Sequence, residues 1–83
     1  MKTYTVYILV CNDETYYTGI TNDLDKRLET HNLGKASKYT RSRLPVNVIA
    51  VRDGLTKSQA LKLEYKVKQQ KKNNKIDFLM GPQ

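Results

Sequence analysis

Cysteine is almost missing from this 83-residue chain: only Cys11 is present. No disulfide can form within the chain, and no cysteine-based zinc site can be built. That suits a reducing compartment, and a cytoplasmic location is the expectation. Long apolar runs are missing as well. None approaches the roughly 18 residues of a membrane-spanning helix. Met1-Lys2-Thr3-Tyr4 leads straight into strand-like sequence, without the apolar stretch and small-residue cleavage site of a secretion signal. There are no internal repeats and no low-complexity segment. A chain this short has room for one domain, expected over residues 1–83, and for no separate specificity module.

Acid is scarce, and unevenly so. Residues 1–34 hold three basic and five acidic side chains, a net of −2, whereas residues 35–83 hold twelve basic and three acidic, a net of +9. Such asymmetry suits a polyanion on one side of the molecule, most commonly nucleic acid. An anionic membrane surface and a merely solvated lysine-rich helix are the competing readings.

What is present has clear periodicity. Residues 4–11 (Tyr-Thr-Val-Tyr-Ile-Leu-Val-Cys) are β-branched and aromatic, hence a strand. Asn12-Asp13-Glu14 reads as a turn, and residues 15–20 as a second strand in an antiparallel hairpin. Gly19 inside that strand signals a bulge or a close approach by another group. Thr21, Asn22 and Asp23 are candidate N-caps for a helix from about Leu24 to Leu33, ended by Gly34. Leu24 and Leu28 give it a narrow apolar stripe. Residues 35–46 read as a basic loop with room for one helical turn. Residues 46–51 form a third strand, stopped by Asp53-Gly54. Thr56 and Gln59 have capping-box spacing, which predicts a second helix from Lys57 to Lys71 or Lys72, with a break at Asn73-Asn74. The tail 75–80 suits a short helix packing Ile76, Phe78 and Leu79 on the core. The expectation is an α+β fold of order β-β-α-β-α: a three-stranded, mostly antiparallel sheet flanked by helices.

Three features carry chemistry, each with a plainer reading beside it. At about 100° per residue, Glu64 falls inside the apolar arc of Ala60, Leu63 and Val67. Lys62 and Lys66 fall outside that arc, and Lys68 is the exception. An inward carboxylate needs a partner, either an arginine in a structural pair or a metal ion. On the helical wheel alone the structural pair is the simpler reading. Arg27 and His31 are four apart on one helix face, flanking the apolar stripe. They suit a phosphate site, or else an ordinary surface with Arg27 paired to Asp23. Tyr7 and Tyr17 could meet across the hairpin, although strand tyrosines are usually packing residues.

Together these residues resemble a known pattern. Thr5-Val6-Tyr7, a ten-residue step, and Tyr17-Thr18-Gly19 are similar to the paired tripeptides of the GIY-YIG nucleases. Arg27-Leu28-Glu29-Thr30-His31 resembles that family's helix motif, and Glu64 stands where the family keeps one metal-binding glutamate. Residues 21–28 and Lys38-Tyr39-Thr40-Arg41 are similar to segments of its small single-domain bacterial members. The resemblance covers about residues 4–80. The chain departs from the pattern at Thr5, in place of the first glycine, and at Thr18, in place of an isoleucine. The late asparagine of some larger members has only unassigned candidates here, Gln69, Asn73 and Asn74.

The resemblance implies a metal-dependent endonuclease acting on DNA, with one Mg²⁺ or Mn²⁺ on Glu64. Arg27 would hold a phosphate oxygen, and Tyr7 would be the general base, helped by His31. Tyr17 would orient water or phosphate, with Tyr7 and Tyr17 exchangeable in role. Gly19 would keep the strand clear of side chains. Lys35, Lys38, Arg41 and Arg43 in the loop, and Lys62, Lys66, Lys68, Lys71, Lys72 and Lys75 beyond it, would grip the nucleic-acid backbone without reading sequence. Tyr39 could stack on a base, with packing the commoner use. The alternative is a non-catalytic nucleic-acid-binding module on the same fold. Repair, recombination and defence against foreign DNA are all compatible with this chemistry.

Overall fold

The structure is a computed structural model and describes residues 3–81. Met1, Lys2, Pro82 and Gln83, which the expected domain includes, lie outside the described residues. The elements run β1 (Tyr4–Val10), β2 (Tyr16–Thr21), α1 (Leu24–Asn32), α2 (Lys38–Arg41), β3 (Asn47–Leu55), α3 (Lys57–Lys68) and α4 (Lys72–Met80). They form one antiparallel sheet in the order β2-β1-β3, so β1 is central. No helix among the described residues is long and apolar enough to cross a membrane.

Alternation along β1 sorts its side chains onto two faces. Val6 and Ile8 are buried with Ala50, Ala60, Leu63, Val67 and Leu79, under α3 and α4. Tyr7 and Leu9 are buried on the other face with Cys11 and Val46, against which Leu24, Leu28 and Tyr17 pack. The stripe of Leu24 and Leu28 thus seats α1 on the face that carries Tyr7.

Local signals set most boundaries. Asp23 accepts the Lys26 amide and caps α1, and Gly34 follows with φ +77°. Ser37 accepts the Tyr39 amide and caps α2, the one helical turn for which the loop had room. The capping box of Thr56 and Gln59 is made in both directions.

Three boundaries differ from the sequence reading by three residues or more. β3 is not stopped by Asp53-Gly54 but runs on to Leu55. The register passes from Tyr4↔Leu55 to Val6↔Arg52, so one extra residue sits in β3. Gly54, at φ +73°, takes the left-handed conformation that such a bulge uses. The second correction concerns α3, which ends at Lys68 and not at Lys71 or Lys72. Asn73-Asn74 is no break but the first turn of α4, so the tail helix starts at Lys72 and not at 75. The reason lies in a contact between the two helices. Lys75 Nζ donates to the carbonyls of Val67 (3.1 Å) and Lys68 (3.2 Å), satisfying the end of α3 from α4.

Candidate active site

The site is built around one hydroxyl. Tyr7, in the central strand, is 1% exposed. It pairs with Gly19 of β2, and its ring crosses the space that a side chain there would fill. A Cβ on Gly19 would lie 2.5 Å from the Tyr7 oxygen and 2.7 Å from Cζ. Gly19 therefore marks a close approach and no bulge, since the β1–β2 register is unbroken. Gly19→Ala is expected to push the buried ring off His31 and to cost about 1–3 kcal/mol. Thermal melting would show the drop, whereas an unchanged Tm would mean that the ring moves aside freely.

Tyr7 Oη lies 3.0 Å from His31 Nε2. His31 is itself 1% exposed, and its Nδ1 lies 2.9 Å from Thr40 Oγ1. α1 delivers the imidazole, and the short α2 delivers the threonine behind it. Tyr17 lies edge-on to His31, with ring centroids 5.1 Å apart, and 6.5 Å from the Tyr7 ring. Tyr39 stacks on Tyr17 at 6.1 Å, and Arg43 covers the Tyr39 ring at 4.0 Å. Tyr39 thus packs on the site's rim.

Charges converge on the same hydroxyl. Burial, then Tyr17, push the Tyr7 phenol well above its usual value; Arg27 pulls it down and Glu64 pushes it up. Both motif charges are therefore felt at Tyr7, although Glu64 belongs to α3, which packs under the opposite face of the sheet. A cavity of about 250 Å³ lined by Tyr16, Tyr17, Thr18, Tyr39, Lys68 and Lys75 runs over the edge strand between the two layers.

Burial, then Arg27, hold His31 below its usual value, so it is neutral at neutral pH. The groups facing it are Tyr7 from β1, Tyr17 from β2, Arg27 on its own helix and Thr40 from α2. In the unfolded chain a histidine titrates near ~6.5. Between that value and the lower folded one, the unfolded state binds more protons, so folding stability rises with pH there. The contribution is complete above about 6.5 and is lost as pH falls through the folded pKa. Tm followed from about pH 7.5 to 5 should fall, and should fall less in His31→Gln.

Glu64 is mostly covered, with its side chain 20% exposed, and it pairs with Lys68 at 3.4 Å. The structural pair with an arginine is thus not formed; the lysine that departed from the polar side of the wheel takes that place. Nor is Arg27 paired with Asp23. Arg27 is exposed, and among the described residues no carboxylate lies within ion-pair distance of it.

The basic residues divide. Arg27 and Lys35 line a polar cavity of about 380 Å³ with Lys26, and Lys35, Lys38 and Arg41 line the next one, of about 400 Å³. Lys62 and Lys66 line a separate groove with Arg52 and Leu55. Besides Lys68, which pairs with Glu64, three expected backbone contacts have other attachments. Arg43 Nε bonds Asp13 at 3.0 Å, and its Nη1 bonds the Tyr39 carbonyl at 2.8 Å. Lys72 reaches the Glu14 carbonyl and lies over the Tyr16 ring. Lys75 caps α3. Lys71 is the N-cap of α4, Gln69 the C-cap of α3, and Asn73 and Asn74 are exposed. Thr40 had no individual signal in the sequence, because its partner His31 lies on a separate helix.

Comparison with known proteins finds a family and relatives for this chain. A family model described as the GIY-YIG catalytic domain matches residues 3–77. A UPF0213 protein of Bacillus velezensis is 47% identical over 73 residues, covering 88% of this chain and 74% of its own. One from Lactiplantibacillus plantarum is 46% identical over 81 residues, covering 95% and 80%. The solution NMR structure of a UPF0213 protein from Bacillus halodurans is similar at 41% identity and TM-score 0.55, covering 88% of this chain and 78% of its own. That of an E. faecalis protein reaches TM-score 0.65 at 34% identity, covering 94% and 83%.

Proposed function

The chain belongs to the GIY-YIG catalytic-domain family, a nuclease superfamily, and from that premise we propose that it is a divalent-metal-dependent endonuclease of DNA. The observation that carries this reading is the convergence at Tyr7. His31 Nε2 lies 3.0 Å from its hydroxyl and the Tyr17 ring packs beside both, with Arg27 and Glu64 near enough to shift the phenol in opposite directions.

A buried phenol with a raised pKa cannot serve as a standing phenolate. It works as a base only if its own proton leaves while the water's proton arrives. His31 Nε2, 3.0 Å away and on a neutral ring, is the acceptor. Tyr17, half-buried beside His31, orients the water or the phosphate. Arg27, exposed and without an acidic partner, presents its planar fork to a non-bridging phosphate oxygen. Lys35, Lys38 and Arg41, together with Lys26, continue the basic strip along the nucleic-acid backbone.

The donor set suits one hard cation. No group of three or more His, Cys, Asp or Glu side chains able to hold a metal occurs among the described residues. The ion would therefore rest on Glu64, with waters and phosphate oxygens completing its shell, as Mg²⁺ prefers. Such an ion would polarise the phosphate and steady the leaving oxygen.

A binding module without catalysis is the second reading, favoured by the raised pKa of Tyr7. The two are separated by incubating the wild type with labelled single-stranded, duplex, flap and branched DNAs in Mg²⁺, Mn²⁺ or EDTA, with binding followed in parallel. Metal-dependent cutting is the expected result. Binding that falls with salt, with no cutting of any substrate, would overturn the nuclease and leave the module.

A further inference from the structure

We propose that Thr40 is a positioning residue: its hydroxyl accepts the Nδ1–H of His31 and so holds the ring in the tautomer whose bare Nε2 faces Tyr7. The consequence for catalysis rests on the relay described above; the tautomer itself does not.

A neutral imidazole has one N–H and one bare nitrogen, and its neighbours decide which is which. Both ring nitrogens of His31 have a hydroxyl partner: Tyr7 at 3.0 Å and Thr40 at 2.9 Å. A hydroxyl can donate or accept, so neither contact alone settles the proton. The third contact, long as it is, adds a bond to one arrangement only. Thr40 Oγ1 lies 3.4 Å from the carbonyl of Ser37, which can only accept. The single Thr40 proton goes there, which leaves its lone pair for Nδ1–H. Nε2 is then bare and accepts the Tyr7 O–H.

The opposite arrangement leaves groups unmatched. If Thr40 donated to Nδ1, then Nε2–H would donate to the phenol oxygen. The Tyr7 proton would have no protein acceptor among the described residues and would have to rest on the reacting water. The Ser37 contact would be lost as well. Thr40 is fully buried, so water cannot take over its role.

The position of the threonine is built in. Ser37 caps α2 through the Tyr39 amide, and the Arg43 amide closes the turn on the Thr40 carbonyl. The proton balance then follows. The O–H bond of water breaks and its proton joins the Tyr7 oxygen. The phenolic proton passes to His31 Nε2, and the hydroxide attacks phosphorus as the bond to the leaving oxygen breaks; that oxygen keeps the electron pair and takes a proton from solvent. The ring ends as an imidazolium with Nδ1–H still on Thr40. In the other tautomer Nε2 already carries a proton and cannot receive one.

His31 is the only histidine in the chain, so ring ¹⁵N labelling gives one unambiguous spectrum. In the wild type at neutral pH, the long-range ¹H–¹⁵N correlations should show Nδ1 protonated and Nε2 bare. Thr40→Val keeps the shape and removes the acceptor; it should shift the ring toward Nε2–H, and Thr40→Ser should restore the wild-type pattern. In cleavage, Thr40→Val should lower kcat roughly ten- to a hundredfold with KM unchanged, with recovery in Thr40→Ser. A wild-type spectrum with Nε2 protonated, or a Thr40→Val spectrum identical to wild type, overturns the proposal. The wild-type spectrum needs no variant to fold and no cleavage to occur. Failure of the nuclease reading would therefore show as absent cutting with the Nδ1–H tautomer intact.

Discussion

Glu64→Gln is expected to reduce DNA cleavage by roughly 10³-fold while leaving folding and DNA binding nearly unchanged. The direction follows from the site's composition. Glu64 is the single inward carboxylate of α3 and the one acid acting on Tyr7. Metal polarisation of a phosphate is worth several kcal/mol, and each 1.36 kcal/mol is tenfold in rate. The amide matches the carboxylate in shape, so packing is retained. The only ion pair lost is with Lys68, whose side chain is 54% exposed, and such pairs contribute about 1 kcal/mol or less. Cleavage kinetics, a melting curve and a binding titration on the same preparation check this. A large fall in Tm with a proportionate loss of cutting would make Glu64 a structural residue.

Tyr7→Phe is expected to lower kcat by about 10²–10⁴-fold, the span of a lost general base. It should also destabilise the fold by about 1–3 kcal/mol, because His31 Nε2 loses its partner inside the core. His31→Ala should cost cleavage about as much. If the two form one relay, the double variant should be no slower than either single one, since parts acting as a unit are not additive. Losses that multiply in the double variant would show independent roles and remove the relay. Tyr17→Phe, at a half-buried ring beside both, should have a smaller effect on kcat than Tyr7→Phe; the reverse order would exchange the two tyrosines.

The fold was legible wherever a signal is local. The hairpin, the Asp23 and Thr56 caps and the Leu24–Leu28 stripe each depend on residues a few positions apart, and each is found where periodicity and capping chemistry place it. The misreadings share one cause. Asp53-Gly54 looks like a strand stop, yet pairing with β1 turns the same residues into a bulge. Asn73-Asn74 looks like a break, yet Lys75 satisfies the carbonyls at the end of α3 and moves the break to residues 69–71. In both places a contact between separate elements outweighed a weak local preference.

By itself, the sequence determined which chemical groups this protein owns: two tyrosines one strand apart, an arginine and histidine on one helix face, one inward glutamate, and a basic second half. It also determined the family, whose model matches residues 3–77. Only the tertiary structure decided which of these groups lie together, as Tyr7, Tyr17 and His31 do. Tyr7 and Glu64 belong to layers on opposite faces of the sheet, and their electrostatic coupling depends on how α3 packs against β2. Tertiary structure alone also assigned Arg43 to Asp13, Lys75 to α3 and Thr40 to His31. Spacing and periodicity report which face of its own element a residue occupies. Hydrogen bonds and fields act through space, and their partners are chosen only when the elements pack.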